Sequence, residues 1–183
     1  MTYTKKLMRF DKPSMVKGFH DFCLAIGEKT KGHPLHIVEL GSYAGESAMM
    51  FLSILNVASL NCVDTWAGSK YHPDDIQNAE KRFDELLGSN PRVFKFKASS
   101  DDPIFSSVKD VDLVYIDADH SYEAVKRDIL FWSPKCKIIS GHDYDNSGKY
   151  GVKKAVDELF GKPDAIFEDG SWFVGPFHNI ITS

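Results

Sequence analysis

The chain has little cysteine, no long apolar run and no block of basic residues, and each shortage closes off a class of protein. Cys23, Cys62 and Cys136 are the three cysteines among 183 residues. They are odd in number, far apart and without a CxxC pair, so neither a disulfide framework nor a zinc site is expected. In apolar surroundings they read as buried free thiols. No apolar stretch approaches the ~20 residues that span a bilayer. The opening MTYTKKLMRFDKP lacks the apolar middle of a secretory signal, so a cytoplasmic location without membrane contact is the expectation. Acidic residues number 26 against 22 Lys plus Arg, for a formal net charge of −4. Basic runs stop at two residues, as at Lys5–Lys6 and Lys153–Lys154, so no nucleic-acid partner is expected. The GxGxxG dinucleotide fingerprint and the GxxxxGK[ST] phosphate loop are both absent, as are repeats and low-complexity segments.

What is present is an ordinary globular composition, 43% apolar, and a regular alternation of strand and helix patterns. The length suits a single domain over 1–183, divided into a leader and helix at 1–34 and a core at 35–183. Residues 1–12 read as a leader. The segment 16–30 has a helical period that puts Phe19, Phe22, Cys23 and Ile26 on one stripe. LHIVEL (35–40), SLNCVD (59–64), RVFKFKA (92–98), DLVYID (112–117) and CKIISG (136–141) read as strands, with the lysine-bearing third at an edge. Helices are expected from Gly45 to Leu55, packing through Met49, Met50 and Leu52. Others are expected from about Asp75 to Leu87, from Ser121 to Phe131, and over 152–160. The helix from Ser121 would be capped by that serine and buried through Ala124, Val125, Ile129 and Leu130. Residues 65–75 and the stretch HDYDNSGKYG read as loops. DAIFEDGSWFVGP and FHNIITS read as terminal strands, with a hairpin turn at Asp169–Gly170. This order favours an α/β, doubly wound, mostly parallel sheet.

Two strand ends carry the chemistry. After the first strand, Glu39-Leu40-Gly41-Ser42-Tyr43-Ala44-Gly45 leads into a helix. Gly41 suits a tight turn with backbone close to a ligand, and Gly45 lets the helix start near the sheet. The helix N-terminus can face an anion, and Glu39 can face an ammonium group. A ligand with both, such as the methionyl end of S-adenosylmethionine, fits; two glycines for tight packing alone is the plainer alternative. Asp64 closes the second strand, where an acid can accept from both hydroxyls of a ribose. Trp66 either stacks on a base or walls the pocket. Ser99 and Ser100 either reach an adenine edge or form a turn.

The fourth and fifth strands end in Asp117-Ala118-Asp119-His120 and His142-Asp143. If these strands are neighbours, five polar groups converge on one crevice. Asp117, His142 and Asp143 are the candidate ligands of a divalent cation, Mg²⁺ or Mn²⁺, and the imidazole tilts the choice to Mn²⁺. A cation there would lower the pKa of an acceptor hydroxyl, and Asp119 or His120 could take its proton.

On the segments VELGSYAGESAM, VDTWAG, YIDADHSYEAVKRDILFW and IISGHDYDNSGKYGVKKAVDELF, which cover most of 35–160, the chain resembles class I S-adenosylmethionine-dependent methyltransferases. It is most similar to methyltransferase family 24 and to the macrocin and novobiocin type of sugar O-methyltransferase, with their cephalosporin-biosynthesis relative. The resemblance implies a Rossmann-like, seven-stranded sheet ending in an antiparallel hairpin. It also implies methyl transfer from S-adenosyl-L-methionine to a hydroxyl of a small molecule or glycan. By the same resemblance Glu39, Gly41, Ser42 and Gly45 would hold the methionyl part and Asp64 the ribose, with Ser99 or Ser100 near the adenine. Asp117 would border both donor and cation, Asp117, His142 and Asp143 would bind the cation, and Asp119 would be the base. His142 departs from the pattern, since metal-dependent relatives carry an acid there, and so His142 or His120 becomes a further candidate base. The short leader and missing lid imply either an open acceptor site or one completed by a partner subunit, such as a second copy in a homo-oligomer. Two other readings stay open: a non-catalytic nucleoside-binding or interaction protein on this fold, and an NAD-linked oxidoreductase, which Asp64 suits but Glu39 does not.

Overall fold

The computed structural model describes residue 10 and residues 12–67, 76–145, 147 and 150–175, with backbone alone at 76 and 77. In chain order the elements are α1 (Pro13–Lys29), β1 (Leu35–Leu40), α2 (Glu46–Ile54), β2 (Val57–Asp64), α3 (Ile76–Leu87) and β3 (Val93–Lys97). They continue with β4 (Val111–Ile116), α4 (Tyr122–Trp132), β5 (Cys136–Gly141), α5 (Val152–Phe160), β6 (Ala165–Ile166) and β7 (Trp172–Val174). The seven strands form one sheet in the order β3-β2-β1-β4-β5-β7-β6. The first five are parallel, whereas β7 runs antiparallel to β5 and β6 antiparallel to β7. The chain winds outward from β1 to β3 and then returns to lay β4 on the other side of β1. The switch point of this doubly wound sheet therefore lies between β1 and β4, where such sheets bind ligands.

Strand alternation sorts the core into two faces. Ile37, Leu113, Tyr115 and Ile138 point to the side covered by Phe19, Phe22, Cys23 and Ile26 of α1, Phe51 of α2 and Phe83 of α3. Val38, Leu40, Val114, Ile116 and Ile139 point to the side covered by α4 and α5 through Val125, Ile129, Trp132, Val156 and Leu159. The first face is aromatic: Tyr115 meets Phe19 edge-on, with ring centroids 5.5 Å apart, and also packs on Phe22 and Phe51. The stripe expected on α1 is the buried one. Gly18 lies on that stripe because a side chain there would overlap the backbone of Asp169, which brings α1 directly onto the β6–β7 turn.

Two helices depart in part from their expected faces. In α2 Met50 and Leu52 pack half-buried against the core as expected, but the fully buried residues are Ser47, Ala48 and Phe51, and Met49 is exposed. In α4 Leu130 is exposed, while Asp128 and Trp132 go inside with Ala124, Val125 and Ile129. Asp128 follows Ala124 by four residues and Trp132 follows Ile129 by three, so they share its stripe, and Leu130 falls off it. The lysine-bearing β3 is at the sheet edge, as expected, and Lys95 and Lys97 pair with Glu80 of α3. The three cysteines are free; Cys23 and Cys62 are buried and Cys136 is half-buried. Burial pushes the Cys136 thiol up to about 12 and raises those of Cys23 and Cys62 as well, so all are unreactive at neutral pH. The turn between β6 and β7 closes at Gly170, with φ of 88°. Leader residues 1–9 and 11, loop residues 68–75, 146, 148 and 149, and the expected terminal strand FHNIITS lie outside the described residues. Among the described residues no helix is long and apolar enough to cross a membrane.

Candidate functional site

Backbone hydrogen bonds build the site's floor. The Gly41 N–H donates to Val63 O (2.8 Å), the Asp117 N–H to Leu40 O (2.8 Å) and the His142 N–H to Ile116 O (3.1 Å). These are the first residues beyond β1, β4 and β5, and Asp64 is the last of β2. Asp64, Gly41, Asp117 and His142 therefore stand in a row along the carboxyl edge of the sheet, astride its switch point.

The β1–β2 half of the row is held by Asp64. One carboxylate oxygen accepts the Tyr43 N–H (2.9 Å) and the other the Trp66 N–H (2.7 Å). Burial raises its pKa, against the lowering effect of these two amides. Tyr43 and Trp66 both have positive φ, 43° each, a conformation that costs a non-glycine residue of order 1 kcal/mol and collects at functional loops. Gly41 is required for close approach: at φ of 90°, a side chain there would overlap the Asp117 carbonyl. Its freedom thus lets the β1 and β4 loops touch. Gly45 starts α2 with φ of 82° and faces Leu87 and Phe83 of α3. Ser42 is buried, and its carbonyl accepts the Gly45 N–H (2.8 Å).

Glu39 is buried beneath the loop that it was expected to serve. It shares a strand face with Ile37, so alternation sends it under α2, where it is 0% exposed and accepts a hydrogen bond from the Ser47 hydroxyl. Its carboxylate thus supports the start of α2 from below. Trp66 is also turned in, at 4% exposure; its Nε1 donates to Tyr43 O (2.8 Å), and Phe83 and Lys95 pack on its ring. Of its two roles, the geometry is that of a wall. Ser99 is exposed and its carbonyl accepts the Asp102 N–H, which is the turn alternative. The Ser100 hydroxyl donates to Asp128 Oδ1 (2.6 Å), and its carbonyl accepts Trp132 Nε1 (2.7 Å).

The β4–β5 half is acidic and imidazole-rich. Asp117, His120 and Asp143, all half-buried, each offer a ligand atom within 4.8 Å of the others. Asp143 has a φ of 59° and sits between two rings. Its Oδ2 lies 3.0 Å from His120 Nδ1 and its Oδ1 lies 3.2 Å from His142 Nδ1. His142 Nδ1 is also 3.8 Å from Asp117 Oδ1. The tight donor group thus contains His120 where His142 was expected, and His142 lies just behind, 7% exposed. The loop before α5 steadies His120: the Gly151 N–H donates to its carbonyl (2.8 Å), and the Tyr150 ring packs on its imidazole at 4.9 Å. Asp119 is exposed and closes the turn before α4, accepting the Ser121 N–H (2.8 Å), while Ser121 holds the N-cap position without a capping hydrogen bond from its side chain.

Sequence reasoning missed Asp169, whose Oδ2 lies 3.6 Å from His142 Nε2. An Asp-Gly pair is fully explained as a turn, so nothing local signals a second role. It also missed Asp128, an acid on a buried helix face. Burial pushes that carboxyl up to about 6 from an ordinary 3.8, the Ser100 hydroxyl and Arg127 offsetting only part. The sign follows. Between about pH 4 and 6 the folded chain holds a proton that the unfolded chain has lost, so this group's contribution to stability declines as pH rises through that window. Replacing Asp128 by Asn keeps an acceptor for Ser100. It is expected to raise unfolding stability at pH 7 by roughly 1–3 kcal/mol. It should also flatten the fall between pH 4 and 6 in denaturant titrations; an Asn variant no more stable than wild type at pH 7 would contradict it.

A family model described as a methyltransferase domain matches residues 38–144, from β1 through both halves of the site. A curated relative, "Uncharacterized protein y4gI" from Sinorhizobium fredii, is 34% identical over 127 residues, 60% of this chain. The chain spans 13% of that protein's length. Among solved structures, the O-methyltransferase NovP superposes with a TM-score of 0.61 at 15% identity, covering 97% of this chain and 90% of that one. The N-methyltransferase NodS from Bradyrhizobium japonicum WM9 superposes with a TM-score of 0.60 at 12% identity, covering 92% of this chain and 100% of that one. At these identities the two structures share the fold.

Proposed function

Because the chain belongs to the methyltransferase domain family and has the class I S-adenosylmethionine-dependent methyltransferase fold, we propose that it methylates a hydroxyl of a small molecule or glycan with the aid of a divalent cation. The observation that carries this reading is the donor group Asp117, His120 and Asp143 at the sheet's switch point, beside a loop suited to the donor. Two carboxylates and an imidazole suit a borderline divalent ion such as Mn²⁺ better than Mg²⁺. When bound, such an ion would lower the pKa of an acceptor hydroxyl.

The chain's own residues supply the rest. Asp64 accepts hydrogen bonds from the donor's ribose, and the first-turn amides of α2 receive its methionyl carboxylate. Gly41, Ser42 and Gly45 shape that loop. Asp117, between the two halves, borders both donor and cation. His142 takes the hydroxyl proton, a role supported by its Nδ1 lying 3.2 Å from Asp143 and 3.8 Å from Asp117; Asp119 is engaged before the start of α4. A second copy of the chain could complete the acceptor side.

The test uses the full chain, labelled S-adenosylmethionine, Mn²⁺ or Mg²⁺, and panels of sugar and phenol acceptors. Transfer to oxygen acceptors, with S-adenosylhomocysteine binding by calorimetry and no fluorescence change with NADH, is the expected result. Donor binding with no product across the panels would favour a non-catalytic role, and NADH binding would favour redox chemistry.

A further inference from the structure

The β6–β7 turn is far more tightly held than a surface hairpin needs. The Asp169 side chain is 0% exposed. Its Oδ1 accepts the Ser171 N–H (3.1 Å) and its Oδ2 the Ser171 hydroxyl (2.7 Å). Ser171 is itself 0% exposed, with its hydroxyl 3.2 Å from the Tyr115 hydroxyl in the aromatic core. Gly18 of α1 presses on the Asp169 backbone. The turn is also bolted to the loop after β5: the Tyr144 N–H donates to Gly170 O (3.1 Å), and Trp172 Nε1 donates to His142 O (3.3 Å). A buried carboxylate is costly unless its charge faces a partner. The side chain it faces is His142, whose Nε2 is buried with no hydrogen-bond partner and lies 3.6 Å from Asp169 Oδ2.

We propose that Asp169 is a positioning residue for the candidate cation site, holding the His142 ring from behind so that Nδ1 is presented to Asp117 and Asp143. The inference rests on the cation reading of that site and extends it to the hairpin. The relation is the one by which a carboxylate behind an imidazole fixes the ring's orientation and the nitrogen it offers forward. It gives the antiparallel hairpin, which a nucleotide-type sheet does not need for its own closure, a task at the site. It also gives Tyr115 and Ser171 a place in one polar line from the core to the site.

The test is Mn²⁺ affinity of the full chain without donor, read from the free-ion electron paramagnetic resonance signal, for Asp169→Asn, His142→Gln and the double variant. Asn retains an acceptor for the Ser171 amide and removes the charge behind the ring. Asp169→Asn is expected to weaken Mn²⁺ binding up to roughly 10-fold, at the low end of the loss seen for a group behind a ligand, because His142 acts through Asp117 and Asp143. In the His142→Gln background it should add less than about twofold, because the residue through which it acts is gone. Equal losses in both backgrounds would mean a fold effect and overturn the proposal, as would wild-type affinity in Asp169→Asn. Should that variant not fold, Ser171→Ala leaves the carboxylate but removes its hydroxyl tether. It is expected to give a smaller loss that again vanishes without His142, and no loss would overturn the proposal. Failure of the wild-type chain to bind Mn²⁺ would overturn the cation reading and this inference together. Wild-type binding with unaltered variants would overturn this inference alone.

Discussion

Replacing Asp143 by Asn is expected to lower kcat by at least ~100-fold while leaving S-adenosylhomocysteine affinity within about twofold. Asn is the informative choice. It tolerates the left-handed backbone that Asp143 adopts at φ of 59°, where Ala would add strain. It matches Asp in size and removes only the charge that both imidazoles face, His120 from one oxygen and His142 from the other. The change removes a cation ligand and also the carboxylate beside the candidate base His142, and loss of a positioned base costs ~10²–10⁴ in rate. Donor affinity should survive because Asp64 ends β2, three strands from β5. At about 4.8 Å per strand the two carboxylates are roughly 14 Å apart, beyond the ~10 Å over which exposed charges act in ordinary salt. Chelation of the wild-type enzyme should reproduce the kinetic loss without the substitution. Full turnover in chelator would remove the cation from the reaction and leave the imidazoles as its base. Weakened donor binding by Asp143→Asn would mean that the two halves of the site are not independent.

The separation of the two halves was legible in the sequence, because it follows from which strand each carboxylate ends. Periodicity located β1, β5 and α5 almost to the residue, and short apolar runs ending in Asp64, Asp117 and His142 sufficed to align the row. What sequence could not supply was direction. Glu39 and Asp64 both lie at strand ends beside the same loop, yet one is sealed under α2 and the other meets two loop amides. The difference is one step of strand alternation relative to where β1 stops. Asp128 and Leu130 were exchanged for a like reason: on a nine- to twelve-residue helix, a rotation of one residue swaps an apolar for an ionisable side chain at the margin of the stripe. The pairing of His142 with Asp169, 27 positions apart, depends on β7 folding back beside β5, and no local pattern encodes it.

Asp64 carries the second large effect, and its two jobs can be separated. Its oxygens tie Tyr43 and Trp66 together across the β1 and β2 loops, and its remaining lone pairs are the ones offered to a ribose. In Asp64→Asn, an NH₂ group replaces one acceptor and meets an amide N–H head-on. Unfolding stability is expected to fall by roughly 1–3 kcal/mol, the cost of one buried donor left unsatisfied. S-adenosylhomocysteine affinity should fall further, by about 10–100-fold, since hydrogen bonds to a charged acceptor contribute roughly 1.5–3 kcal/mol. Stability is read by denaturant titration and affinity by calorimetry on the same preparation. A variant that loses stability but binds normally would make Asp64 a loop tie alone. The ionisation of Asp64 supplies an independent check. Burial raises its pKa in the free protein, whereas ribose hydroxyls donating to the carboxylate favour the ionised form and draw that pKa down on binding. Binding therefore expels a proton from any molecule in which Asp64 is protonated. Affinity should decline as pH falls through the raised pKa, and the observed enthalpy in that window should depend on the ionisation enthalpy of the buffer. In Asp64→Asn this contribution should vanish; a pH slope that persists unchanged in the variant would place the titrating group elsewhere in the site.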